Sequence, residues 1–126
     1  MTEIQEIRIA EIVGSGFCTA SEDGQKVHDA IQRAISEGKQ VILSFEGVQD
    51  LTSAFLNAAV GQLYSQLSEK EIRARILPPI NATPENLILL KRVVERAKEF
   101  FKTPERFEKA TKEVLGEDDD DDPPKK

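Results

Sequence analysis

The chain has 126 residues, 39% hydrophobic and 32% charged, a balance that fits one small globular core and leaves little room for two. A domain of this size buries roughly 65% of its unfolded surface, so packing alone can hold it, and its one cysteine, Cys18, forms no internal disulfide. The formal charge of -6 opposes general attraction to nucleic acid or an anionic membrane, and no apolar run approaches the ~20 residues of a membrane span. With no signal-peptide pattern in Met1 to Ala10, the expectation is a soluble, cytoplasmic protein with neither nucleic acid nor membrane as partner.

In chain order, Ile4, Ile7, Ile9, Ile12 and Val13 lie among charged residues and predict a strand over Ile4 to Val13, broken in its middle. Gly14-Ser15-Gly16 follows as a turn. Thr19 and Glu22 have the spacing of a capping box, and a helix is predicted from Ala20 to Asp23 onward, with Val27, Ala30, Ile31, Ala34 and Ile35 on one stripe and Gly38 as its stop. Val41 to Phe45 is an almost unbroken apolar run and predicts a strand buried on both faces at the sheet centre.

A second helix is predicted from Thr52-Ser53 to Leu67; most of its circumference is apolar, so it is either deeply buried or shared with a partner. Ile72 to Leu77 alternates, predicting a strand with a wet face carrying Arg73 and Arg75, stopped by Pro78-Pro79. Thr83-Pro84-Glu85 starts a long helix with Leu87, Leu90, Val93, Val94, Ala97, Phe100 and Phe101 on its apolar face. Thr103-Pro104-Glu105 repeats the start signal for a last helix with Phe107, Ala110, Val114 and Leu115 inward. The six acids Glu117 to Asp122 against Lys125 and Lys126 give the tail -4 of the formal -6 and leave -2 on residues 1–116. Such a tail, residues 117–126, is expected to be disordered. The body, 1–116, reads as one α/β domain: a small mainly parallel or mixed sheet of three to four strands carrying helices.

No catalytic set emerges. His28 is the only histidine, so no histidine cluster for a metal exists, and its offset from the Val27 stripe predicts a flank or solvent position. Cys18 reads as a small buried hydrophobe; the alternative is a nucleophile whose pKa a nearby helix N-terminus lowers. Gly14-Ser15-Gly16 completes no phosphate-loop pattern. The expectation is a protein without catalytic residues, cofactor or metal.

The sharper feature is the junction from Val41 to Leu56. A buried strand, a glycine-containing loop and two hydroxyl residues place Thr52 and Ser53 at a helix start, where backbone N–H groups point outward. A phosphate there would bring roughly -1.5 to -2 of charge at pH 7 to any surface a partner reads. The same residues also serve as ordinary N-caps, worth ~1 kcal/mol to the helix.

At this junction the chain resembles the STAS superfamily, the domain shared by anti-sigma-factor antagonists and sulphate transporter tails, and more specifically the bacterial STAS-like domain family of unknown function. The likeness covers roughly Ile4 to Phe101. It is most specific from Val41 to Leu67, where strand, Gly47-Val48, Thr52-Ser53, Phe55 and an apolar helix occur in order. In the antagonists an Asp-Ser pair begins this helix, and phosphorylation of the serine by a partner kinase releases the kinase-like anti-sigma factor; here Ser53 falls at the phosphoserine and Thr52 replaces the aspartate. The resemblance implies a noncatalytic regulatory module with Ser53 as phosphoacceptor. It would dock a protein partner, such as a histidine-kinase-like ATPase, through Asp50, Thr52, Ser53, Ala54, Phe55 and Asn57. Two alternatives stay open: a small-molecule or nucleotide-binding domain or small enzyme using the C-terminal ends of the strands, and a structural subunit whose second or last helix forms a homodimer.

Overall fold

The computed structural model describes residues 2–101. The elements in order are β1 (Ile4–Arg8), α1 (Ile9–Val13), β2 (Phe17–Cys18), α2 (Ser21–Ser36), β3 (Gln40–Ser44), β4 (Asp50–Leu51), α3 (Ser53–Leu56), a π-helical turn (Asn57–Gly61), α4 (Leu63–Gln66), α5 (Glu69–Arg75) and α6 (Pro84–Phe101). This is a mixed α/β fold in which every strand pairing among the described residues is parallel. The predicted last helix and acidic tail, together with the boundary at residue 116, lie outside the described residues.

The apolar run at β3 is the sheet centre, as its composition predicts. β1 pairs along one side from Ile4↔Gln40 to Arg8↔Ser44, and Ile76 and Ile80 bridge to Val41 and Ser44 on the other. β2 and β4 form a separate parallel pair.

Two predicted strands are corrected. The first ends at Arg8, and Ile9–Val13 is helix α1. Ile9, Ile12 and Val13 stand at helical spacing, with Ile9 buried and the other two half-buried, and Gly14 caps the turn by donating its N–H to Ala10 O at 2.8 Å. The second, Ile72 to Leu77, is mostly helix α5. Ser68 Oγ accepts from Glu71 N at 3.1 Å and Glu71 Oε1 accepts from Ser68 N at 2.9 Å, a complete capping box that outweighs the apolar alternation behind it. Only the stretch after α5 follows β3, through Leu77 N–H to Val41 O (2.8 Å) and Ile80 N–H to Leu43 O (3.0 Å). Between them Pro78 and Pro79 have no N–H to donate, so no continuous strand forms.

The predicted Thr19–Glu22 capping box is also absent. Ala20 is the N-cap of α2 and no side chain caps it.

The predicted helix from Thr52 to Leu67 is present as α3, the π-helical turn and α4. Its apolar surface is spent inside the molecule, with Phe55, Leu56, Ala59, Val60 and Leu63 all in the core. In the π-helical turn Gln62 N–H reaches back to Asn57 O at 3.1 Å. The Ala58 carbonyl, which an α-helix would pair with that N–H, instead accepts from the Gln62 side-chain amide at 2.6 Å.

The turn faces α2 across a close contact. A Cβ on Gly24 would lie 2.3 Å from Phe55 O and 2.9 Å from Ala58 Cβ. Beyond Gly24, the residues Val27, His28, Ile31 and Ala34 complete the buried face of α2.

Alanine is favoured over glycine in a helix by about 1 kcal/mol, but the overlap at Gly24 costs more. Gly24→Ala is expected to lower unfolding free energy by about 1–3 kcal/mol, read as a lower urea midpoint, whereas an unchanged or higher midpoint would show that the helix contact yields.

Candidate functional site

The helix start is held by a second strand rather than by its own sequence alone. Gly16 O accepts from Gln49 N (2.8 Å) and Asp50 N (3.1 Å), and Cys18 O accepts from Thr52 N (3.3 Å). These bonds draw the Gly16–Thr19 segment alongside Gln49–Thr52. The approach is tight at Gly16, where a Cβ would stand 2.5 Å from Gly47 O.

Thr52 and Ser53 have separate fates. Thr52 Oγ1 accepts from Phe55 N at 3.1 Å, the N-cap bond, and donates to Thr19 O at 2.7 Å. One hydroxyl thereby caps α3 and ties it to Thr19, the residue before the N-cap of α2. Ser53, the first residue of α3, is half-buried, and no hydrogen bond engages its hydroxyl among the described residues.

Of the other predicted surface residues, Asp50, Ala54 and Asn57 are exposed. Phe55 is not: it is fully buried in the core, because the third residue of α3 turns inward beneath α2. It fixes the surface from below and is unavailable to a docked partner in this conformation.

Phe17 belongs to the same surface, though no motif in the sequence marks it. It stands opposite Asp50 in the β2–β4 register and is 56% exposed, while its neighbour Cys18 is fully buried. Alternation within a strand requires the two to face opposite ways. Which of two apolar neighbours faces out depends on the strand's partner, and the sequence does not contain that.

His28 is corrected from a flank position to a core one. It is only 3% exposed, since Gly24 lets α2 approach the π-helical turn closely enough to cover it. Its Nδ1 has no hydrogen-bond partner among the described residues. Burial lowers its pKa below 6.5, against smaller opposing effects of the Ala59 backbone and the Asp29 carboxylate. Cys18 is the predicted buried hydrophobe. Burial, with Asp23 nearby, pushes its thiol up, which opposes the thiolate the nucleophile alternative needs.

Among the described residues no three His, Cys, Asp or Glu side chains gather as metal ligands would, and no helix is long and apolar enough to cross a membrane.

A family model described as a STAS-like domain of unknown function (DUF4325) matches residues 23–87, from the first turn of α2 into α6. The chain belongs to this family. No curated protein and no solved structure matches it. The span of the STAS-like match contains the whole of Asp50 to Asn57.

The two hydroxyls of this STAS-like domain should separate in stability measurements. Thr52→Val removes the cap and the bond to Thr19, with an expected loss of about 1–2 kcal/mol in denaturant unfolding; Ser53→Ala is expected to stay within about 0.5 kcal/mol of the parent. Equal losses would mean that Ser53 carries structural weight. For His28, the unfolded chain takes up a proton near 6.5 that the folded chain resists. Its contribution is therefore fully present above that pH and is lost as pH falls towards the depressed folded value. The drop in stability between pH 7 and pH 5 should be smaller in His28→Gln, and an unaltered slope would show that His28 does not contribute.

Proposed function

We propose that this STAS-like domain is a noncatalytic regulatory module that docks a protein partner on the surface formed by Phe17, Asp50, Ser53, Ala54 and Asn57, with Ser53 as the switch. The observation that carries this reading is the division of labour at the helix start: the Thr52 hydroxyl is consumed by structure, while the Ser53 hydroxyl is left unengaged between an exposed carboxylate and exposed apolar and amide groups. A residue with no structural duty can be modified without disturbing the fold.

The surface is chemically mixed. Phe17 offers a large apolar side chain, Asp50 a charge and Asn57 an amide, which suits a partner with an apolar pocket rimmed by a basic group. The kind of partner the STAS resemblance suggests for this surface is a histidine-kinase-like ATPase. Phosphate on Ser53 would add roughly -1.5 to -2 of charge and its bulk three residues from Asp50, and the cost of desolvating it against the partner's apolar pocket would oppose docking.

The test begins with affinity capture from the native cell and mass spectrometry, which reports partner and Ser53 modification together. Binding of the captured partner is then measured with purified variants. Ser53→Ala is expected to bind as the parent does, and Ser53→Asp and Phe17→Ala each to weaken binding at least about tenfold. Indistinguishable affinities across all three would overturn the docking surface, and a loss with Phe17→Ala alone would overturn the switch.

A further inference from the structure

A cleft lies beside β3, where a third strand would run. The Ser68–Glu71 capping box commits Glu69–Arg75 to helix α5, and Pro78 and Pro79 have no N–H to give a ladder. The chain that follows therefore pairs with β3 through isolated bridges at Ile76 and Ile80. The space left between β3, α4, α5 and α6 has a volume of about 320 Å³, and its apolar wall includes Leu43, Leu63, Ile72, Leu90 and Val94. Close-packed interiors hold few voids larger than a water molecule, whereas this one has room for about ten waters at ~30 Å³ each. It falls at the small end of the roughly 300–1,000 Å³ typical of ligand pockets.

The polar groups gather at one rim. Among the described residues Glu69, Arg73 and Lys98 are the only charged ones in the lining. A single carboxylate oxygen, Glu69 Oε2, accepts from both Arg73 (3.3 Å) and Lys98 Nζ (3.0 Å). Two cations against one carboxylate leave a surplus positive charge, and neither cation has another acidic partner among the described residues. Most of their N–H donors are thus free of protein partners. Tyr64 lies within electrostatic reach of all three; burial pushes its pKa up, which keeps the hydroxyl a donor, and Lys98 opposes this only in part. That hydroxyl has no hydrogen-bond partner among the described residues.

We propose that this cleft binds a small apolar carboxylic acid as its anion, with the hydrocarbon body against Leu63, Ile72, Leu90 and Val94 and the carboxylate among Arg73, Lys98 and Tyr64. The body displaces water that an apolar wall holds poorly. The head group takes up the surplus charge, and the planar guanidinium of Arg73 suits the two oxygens of a carboxylate. A cationic head group of the same size would meet Arg73 and Lys98 with like charge. Glu69 is then an internal competitor, since it occupies the cations that the ligand needs. The cleft shares no residue with the surface at Ser53, so the two readings stand or fall separately.

The test titrates the full-length, nitrogen-15-labelled chain with octanoate and, separately, with octylammonium, which has a similar hydrocarbon tail and the opposite charge. Octanoate is expected to give saturable amide shifts at Tyr64, Ile72, Leu90 and Val94 with a Kd at or below about 1 mM. Octylammonium is expected to bind at least about tenfold more weakly. Lys98→Gln should weaken octanoate about fivefold, and Glu69→Gln, which removes the competitor, should tighten it by a similar factor. The absence of saturable shifts at these four residues up to about 10 mM octanoate, or equal binding of octylammonium, would overturn the proposal. So would octanoate affinities unchanged in both charge variants, because the carboxylate would then sit elsewhere.

Discussion

The contact between Gly24 and the Phe55 carbonyl sets the distance on which the rest of the molecule depends. With no Cβ on that residue, α2 lies almost against the backbone of α3 and the π-helical turn. That approach covers His28 and seats Phe55 in the core. The turn that α2 packs against is an irregular helix, and the Gln62 side chain satisfies the carbonyl that the irregularity frees. Burying these apolar groups at roughly 25 cal/mol per Å² is the favourable term. The glycine is what allows the two backbones to collect it.

The helix start inherits its geometry from that packing. Phe55 is drawn inward under α2, so Thr52 and Ser53, three and two residues earlier, are left at the rim. There the parallel pair β2–β4 takes hold of Thr52. A single threonine hydroxyl that both donates to Thr19 and accepts from Phe55 joins the beginnings of two helices, and its neighbour Ser53 is left with no structural task. The STAS-like match includes Thr52 and Ser53, and the exposed Phe17 beside them, outside the matched residues, gives the surface an apolar contact that a run of hydroxyls and carboxylates would lack.

Much of this was legible from residue spacing. The stripe on α2, the buried run of β3, the proline-led start of α6 and the helix after Thr52 all follow from periodicity and capping residues, which act over a few neighbours. The misreadings share a cause. At Ile9–Val13 and Ile72–Leu77 a short apolar pattern fits both strand and helix, and the decision falls to local groups around it: the Gly14 turn in one case, the Ser68–Glu71 box in the other. That box was visible in the sequence, and two reciprocal hydrogen bonds outweigh alternation over six residues. The Thr19–Glu22 pair has the same spacing yet forms no box, because α2 begins one residue later, with Ala20 as its N-cap.

By itself the sequence determined the α/β class, the central strand, the position of the hydroxyl pair at a helix start and the family to which the chain belongs, since each rests on residues close together along the chain. Only the tertiary structure decided which hydroxyl is committed and which is left, which of Phe17, Cys18 and Phe55 faces water, and whether His28 lies inside or outside. Those outcomes depend on long-range contacts, the β2–β4 pairing and the Gly24 approach, which fix burial and hydrogen-bond partners among residues that local spacing leaves equivalent.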